Sequence, residues 1–173
     1  MPIGFEVKNL SLQDALDLAI HIEEEAQERY TAFAEMMGAN YKGDAGDFFT
    51  EMAGNEAKHA SELTSKRNKL FKGVPRRIDP AKVWDVEAPE YGSPRAHMSP
   101  RQAMQLALES EIKAHEFFRD AAKKVSDAGV KKLFEELRDE ELRHQEMVRK
   151  RLELLPKDEG PDRDDDDIET PSL

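Results

Sequence analysis

Residues 49–63, FTEMAGNEAKHASEL, decide the fold of this chain. Their apolar positions follow the three-and-four spacing of one helical face: Phe49, Met52, Ala53, Ala60 and Leu63. A glutamate and a histidine one turn apart, Glu56 and His59, interrupt that face. Because burying a carboxylate is costly unless it is paired, the pattern predicts a helix whose core face has a chemical role.

The same pair recurs near the other end of the chain as Glu141 and His144. It interrupts an apolar face of the same kind: Val130, Phe134, Leu137, Val148, Leu152 and Leu155. Two further amphipathic segments each carry one glutamate in mid-face, Glu23 and Glu111. The chain is therefore expected to place four glutamates and two histidines in one core.

The start and stop signals predict four helices, at about 12–38, 46–71, 100–127 and 129–155. Ser11 precedes the first helix and Ser99 the third, each with a capping-box partner three residues later. Short turns join the first to the second helix and the third to the fourth, whereas residues 72–98 form a long, proline-containing connection. We therefore predict an all-α, ferritin-like four-helix bundle of residues 1–156, with two antiparallel hairpins joined by one crossover.

An internal repeat relates the two predicted hairpins. Glu23 and Glu111 lie 88 residues apart, and Glu56 and Glu141 lie 85 residues apart. Each central glutamate follows an alanine by four positions and precedes an aromatic residue by seven. The repeat predicts a pseudo-two-fold axis through the centre of the bundle.

Four carboxylates in one core would repel one another unless positive charge compensates them. Two divalent cations supply that charge, and inward glutamates with two Glu-x-x-His pairs form the di-iron carboxylate arrangement. The predicted metal ligands are Glu23, Glu56, His59, Glu111, Glu141 and His144. Two iron ions are expected, although the same ligands accept manganese. Glu56 and Glu141 are taken as bridging ligands, a choice that the sequence leaves open.

Two more residues face the predicted core near these ligands. His115 follows Glu111 by one turn and is either an additional ligand or a core histidine that hydrogen-bonds a neighbour. Tyr30 either hydrogen-bonds a ligand carboxylate or only packs.

Composition excludes several classes of function. The chain of 173 residues has a net charge of −11, which argues against a nucleic-acid partner. Residues 157–173 carry eight acidic side chains against two basic ones and are expected to be a disordered tail. With no cysteine there is no disulfide and no thiolate metal site. No apolar run is long enough for a membrane span and no leader is recognisable, so a cytoplasmic protein is expected.

Over residues 11–155 the chain resembles the rubrerythrin branch of the ferritin-like superfamily. The resemblance rests on Ala-x-x-x-Glu with Tyr30 seven residues later, followed by Ala53-x-x-Glu56-x-x-His59-Ala60. It implies a non-haem di-iron centre that reacts with peroxide or dioxygen, and a homodimer or larger homo-oligomer. Rubrerythrins proper add a cysteine-ligated rubredoxin domain and a second glutamate one turn after the first on their third helix. Here Ala114 and His115 occupy that place, so any reductant must be a separate protein or ferrous iron.

The leading hypothesis is an oxidoreductase of rubrerythrin type that reduces hydrogen peroxide or dioxygen. The alternative is a ferroxidase that stores iron or delivers it to a partner. A third reading, a metal-free helical scaffold, predicts that Glu23→Ala stabilises the fold.

Overall fold

The computed structural model describes residues 6–38, 44–83, 86–87 and 98–155. Most of them lie in four helices: α1 (Leu12–Met37), α2 (Ala45–Leu70), α3 (Pro100–Lys124) and α4 (Ala128–Leu154). Single 3-10 turns lie at Val7–Asn9 and Pro80–Lys82, and the described ranges contain no β-strand. The predicted all-α class is therefore confirmed. The predicted tail and the middle of the predicted crossover, 84–85 and 88–97, lie outside the described residues.

Capping boxes fix the start of α1 and α3. The Ser11 side chain accepts a hydrogen bond from the Asp14 N–H, and the Asp14 carboxylate accepts one from the Ser11 N–H. Ser99 and Gln102 exchange the same two bonds before α3, where Pro100 is the first helical residue. Both boxes match the sequence prediction, because each satisfies N–H groups that the first turn leaves unpaired.

The turn between α3 and α4 is longer than predicted, because α3 ends at Lys124 rather than near 127. Asp127 caps α4 by accepting a hydrogen bond from the Val130 N–H. A capping residue takes an extended backbone, and Val125 is also extended, so the last predicted turn of α3 cannot form.

Each helix packs chiefly on its hairpin partner, α1 on α2 and α3 on α4. The end of α1 meets the start of α2 at two glycines. Gly38 has a positive φ of 67°, and a Cβ on Gly46 would overlap the carbonyl oxygen of Gly38. Both positions therefore require glycine.

The two hairpins face each other with α2 antiparallel to α4. Arg151 of α4 pairs with Glu51 near the start of α2, and Glu136 near the start of α4 pairs with Lys66 near the end of α2. Residue numbers therefore rise along one helix as they fall along the other. Two apolar clusters fill the opposite ends of the bundle, one around Leu16, Ile20 and Phe134 and the other around Phe33, Phe49 and Met104.

The described part of the crossover lies along α1. The Gln13 side chain donates to the Pro75 carbonyl at 2.9 Å, and the Arg77 N–H donates to Asp17 Oδ2 at 3.1 Å. Asp17 is buried and also pairs with the buried Arg67 of α2, at 2.8 Å. This contact joins α1, α2 and the crossover. None of the described helices is long and apolar enough to cross a lipid bilayer.

Candidate metal centre

Each of the four helices buries one glutamate between the two apolar clusters. Glu23, Glu56, Glu111 and Glu141 are at most 1% exposed. Each lies in mid-face on its helix, so the packing of the apolar neighbours above and below carries the carboxylate inward. The centre of the bundle is therefore polar while both of its ends are apolar.

The first hairpin contributes Glu23, Glu56 and His59. His59 Nδ1 lies 3.5 Å from an oxygen of Glu23 and 3.5 Å from an oxygen of Glu56. The Glu-x-x-His spacing on α2 explains the second contact, because residues three apart share a helical face.

The second hairpin repeats this arrangement with Glu111, Glu141 and His144. His144 Nδ1 lies 3.2 Å from Glu111 Oε2 and 3.8 Å from Glu141 Oε2. The two imidazole rings, His59 and His144, stack with centroids 4.8 Å apart and planes inclined by 7°. The structure thus brings all six predicted ligands together around one centre, as the internal repeat indicated.

Potential ligand atoms lie close enough to share an ion. Those of Glu56, His59 and His144 lie within 4.8 Å of one another, and so do those of Glu111, Glu141 and His144. Both oxygens of Glu23, Glu56 and Glu141 are buried without a hydrogen-bond partner. Buried carboxylates normally have partners, so these orphaned oxygens and the facing imidazoles fit divalent cations.

Burial and the neighbouring charges shift the pKa values of the site's members. Burial raises the pKa of Glu23 from 4.5 to about 8. Burial acts to lower the pKa of His59, but the nearby Glu23 and Glu56 carboxylates outweigh it and raise that pKa from 6.5 to about 10. Burial and the charge of Glu111 raise the pKa of Glu141 well above its ordinary value. The metal-free centre therefore retains protons that bound cations would displace.

Tyr30 contacts the centre and His115 does not join it. The fully buried Tyr30 hydroxyl donates to Glu111 Oε1 at 3.4 Å, which is the hydrogen-bonding alternative of the sequence prediction. Burial and then the Glu111 charge raise the pKa of Tyr30 well above 10.0. His115 is half-buried and is absent from the ligand groups that the described residues form.

Sequence reasoning missed one buried carboxylate of the centre. Glu87 lies in the crossover, is 1% exposed, and has an oxygen within 4.8 Å of oxygens of Glu23 and Glu56. It belongs to no helix, so a search for carboxylates on apolar helical faces cannot find it. The sequence signal that could have indicated its burial is the nearby pair of apolar residues, Val83 and Val86, in a polar, proline-containing stretch.

The site has an opening between α2 and α4. The side chains of His59 and His144 are 15% and 13% exposed, in contrast to the fully buried glutamates. Beside His59 lies a cavity of about 140 Å³ that Glu62, Glu136 and Glu140 help to line. A small molecule or ion can thus reach the imidazole side of the centre.

The comparisons with known proteins agree with this architecture. The family model described as Rubrerythrin matches residues 14–152. The chain belongs to the rubrerythrin family. No curated protein sequence matches this rubrerythrin-family chain. An uncharacterised conserved protein of Magnetospirillum magnetotacticum is 28% identical, with a TM-score of 0.67 over 88% of this chain and 100% of that one.

Two more distant structures share the fold of this rubrerythrin-family chain. The bacterioferritin of Rhodobacter capsulatus is 18% identical, with a TM-score of 0.56 over 83% of this chain and 84% of that one. A manganese catalase from Anabaena is 16% identical, with a TM-score of 0.54 over 88% of this chain and 78% of that one. The predicted ferritin-like bundle is thereby confirmed.

Proposed function

We propose that this chain is a non-haem di-iron oxidoreductase of rubrerythrin type that reduces hydrogen peroxide or dioxygen. The observation that carries the proposal is the convergence of two Glu-x-x-His pairs and two further glutamates, with buried oxygens that lack partners. Family membership supports it, as do a neighbour described with a dinuclear site and another that is a manganese catalase.

The predicted ligands divide into two sets. Glu23, Glu56 and His59 would hold one ion, and the second hairpin's Glu111, Glu141 and His144 the other, with Glu56 and Glu141 proposed to bridge. When bound, two ferrous ions would supply the two electrons that, with two protons, convert hydrogen peroxide to two waters. Manganese would fit the same oxygen and nitrogen donors.

The surrounding residues orient the site and limit solvent access. Tyr30 holds the Glu111 carboxylate through its hydroxyl, and the apolar clusters at both ends exclude water from the glutamates. The cavity beside His59 leaves the imidazole side accessible to a molecule of the size of peroxide. With no cysteine in the chain, the proposed cycle takes its electrons from a separate reductant.

A second function, oxidation of ferrous iron for storage or delivery, is favoured by the acidic opening. Glu62, Glu136 and Glu140 outnumber Lys66 around the cavity, and such a lining attracts cations. A cytoplasmic location and a homo-oligomeric state stay predictions from the sequence, and a role against oxidative stress would follow from the proposed reduction of peroxide.

The test is the metal content of protein loaded anaerobically with ferrous iron and desalted, measured by elemental mass spectrometry. We expect about two irons per chain, lost in Glu56→Ala and in His144→Ala but retained in the exposed control Glu116→Ala. Far-UV circular dichroism of each metal-free variant checks that it folds. An iron-free wild type would overturn the proposal.

Multiple-turnover reactions then separate the two functions. Loaded protein mixed with peroxide and an excess of ascorbate should consume peroxide repeatedly if it is a peroxidase. Accumulation of many more than two irons per chain on repeated addition of ferrous iron and air would favour the ferroxidase instead.

A further inference from the structure

Glu87 is held at the centre by the packing of the crossover around it. Val83 and Val86 are 4% and 0% exposed and belong to the apolar cluster that contains Leu16 and Ile20. Because both valines pack in that cluster, the adjoining Glu87 side chain lies inside the bundle, where it is 1% exposed. Its position therefore results from the fold and not from an ion pair at the surface.

The described surroundings leave the Glu87 carboxylate without a partner. Neither of its oxygens has a hydrogen bond, and the carboxylates nearest to it in the ligand group are Glu23 and Glu56. The two buried arginines of the described residues are already paired, Arg29 with Glu25 and Arg67 with Asp17. A third carboxylate beside two buried acids is unfavourable in its charged form unless a cation lies among them.

We propose that Glu87 is a metal ligand supplied by the crossover, at the ion position formed with Glu23 and Glu56. The inference rests on the proposed function. It assigns the seventh ligand of the centre, and its fifth carboxylate, to the connection between the hairpins, in a chain whose α3 has Ala114 in place of a second glutamate. Because the crossover occurs once, the other half has no equivalent residue. The two ion positions are therefore unequal, and the one beside Glu87 binds more tightly.

The test is an anaerobic titration of the metal-free full chain with Mn²⁺, in which the electron paramagnetic resonance signal reports free Mn²⁺. The wild type should show two binding steps of different affinity. In Glu87→Gln, which keeps the shape and removes the charge, the tighter step should weaken by roughly ten-fold or more. The weaker step should stay within about three-fold, as should both steps in the exposed control Glu116→Gln.

A second measurement separates ligation from a merely structural role. Thermal unfolding of metal-free Glu87→Gln should occur at the wild-type temperature or above it, because the variant removes an unpartnered buried carboxylate. Glu87→Asp, which keeps the charge on a shorter side chain, should recover part of the lost affinity. If metal-free Glu87→Gln unfolds at a lower temperature and its Mn²⁺ affinities match the wild type, Glu87 is a packing residue and the inference is wrong.

The outcomes also distinguish this inference from the proposed function. Two unchanged binding steps in Glu87→Gln would overturn the role of Glu87 and leave the six-ligand centre intact. A wild-type protein that binds no Mn²⁺ and no Fe²⁺ would overturn both.

Discussion

The two hairpins carry the same ligand motif, yet their central glutamates have different surroundings. Glu111 accepts a hydrogen bond from Tyr30 and lies 3.2 Å from His144 Nδ1. Glu23 has no hydrogen bond to either oxygen and shares its space with a second glutamate and with Glu87. The repeat thus duplicates the predicted ligands but not their environment, which depends on elements that occur once.

Two such single elements account for the difference. The first is the tyrosine hydroxyl: Phe118, the repeat equivalent of Tyr30, has none. The second is the crossover, which brings Glu87 to the first hairpin and is attached there through Asp17, Arg67 and Arg77. Changing the tyrosine and the crossover separately should show which of them makes the two hairpins differ in stability and in metal affinity.

The largest expected effect comes from breaking the buried pair of Asp17 and Arg67, on which the crossover packs. Arg67→Ala leaves the Asp17 carboxylate buried without its ion-pair partner, which should lower the free energy of unfolding by about 4 kcal/mol. Urea unfolding of the metal-free protein measures it. The matched control is Arg77→Ala, which removes an exposed partner of Asp14 and should cost about 1 kcal/mol or less. Equal losses in the two variants would show that the buried pair is not the main attachment.

The next effect is a pH dependence of the metal-free protein. The pKa of Glu23 is raised from 4.5 to about 8, so between these values the folded state binds more protons than the unfolded state. The stabilisation that comes from the tighter binding of this proton is complete below pH 4.5, and it is lost as the pH rises through 8. The pKa of His59 is raised from 6.5 to about 10, so its proton adds a second loss of stability as the pH rises between these two values.

The free energy of unfolding should therefore fall between pH 5 and pH 9, by about 1.4 kcal/mol per pH unit for each proton released. Urea midpoints across this range measure the slope, and Glu23→Gln should make it shallower. Protein saturated with Mn²⁺ should show the opposite trend, because cations compete with protons for the same ligands. A flat profile for the metal-free wild type would contradict the prediction.

The smallest effect concerns the second hairpin. Tyr30→Phe removes the hydroxyl that donates to Glu111 and makes the two halves more alike. Because the bond is long and neutral hydrogen bonds contribute modestly, the free energy of unfolding should fall by about 1 kcal/mol or less. In the Mn²⁺ titration the weaker step should change and the tighter step should not. A change confined to the tighter step would mean that Tyr30 acts on the first hairpin.

Much of the fold could be read from local signals. The capping boxes at Ser11 and Ser99 set two helix starts correctly, because a cap depends only on residues three positions apart. The end of α3 was misplaced, since Asp127 had to cap the next helix instead of continuing the previous one. The buried pair of Asp17 and Arg67 was also missed, although Arg67 follows Leu63 at helical spacing on the core face.

The sequence by itself determined four amphipathic helices, their pairing into hairpins and the six candidate ligands. It could do so because a side chain's place on a helical face follows from spacing alone. Only the tertiary structure decided that Tyr30 reaches Glu111, that Asp17 joins three segments, and that Glu87 enters the core. The contacts of Tyr30 with Glu111 and of Asp17 with Arg67 link residues 50 or more positions apart. The crossover that carries Glu87 has no period from which the direction of a side chain could be calculated.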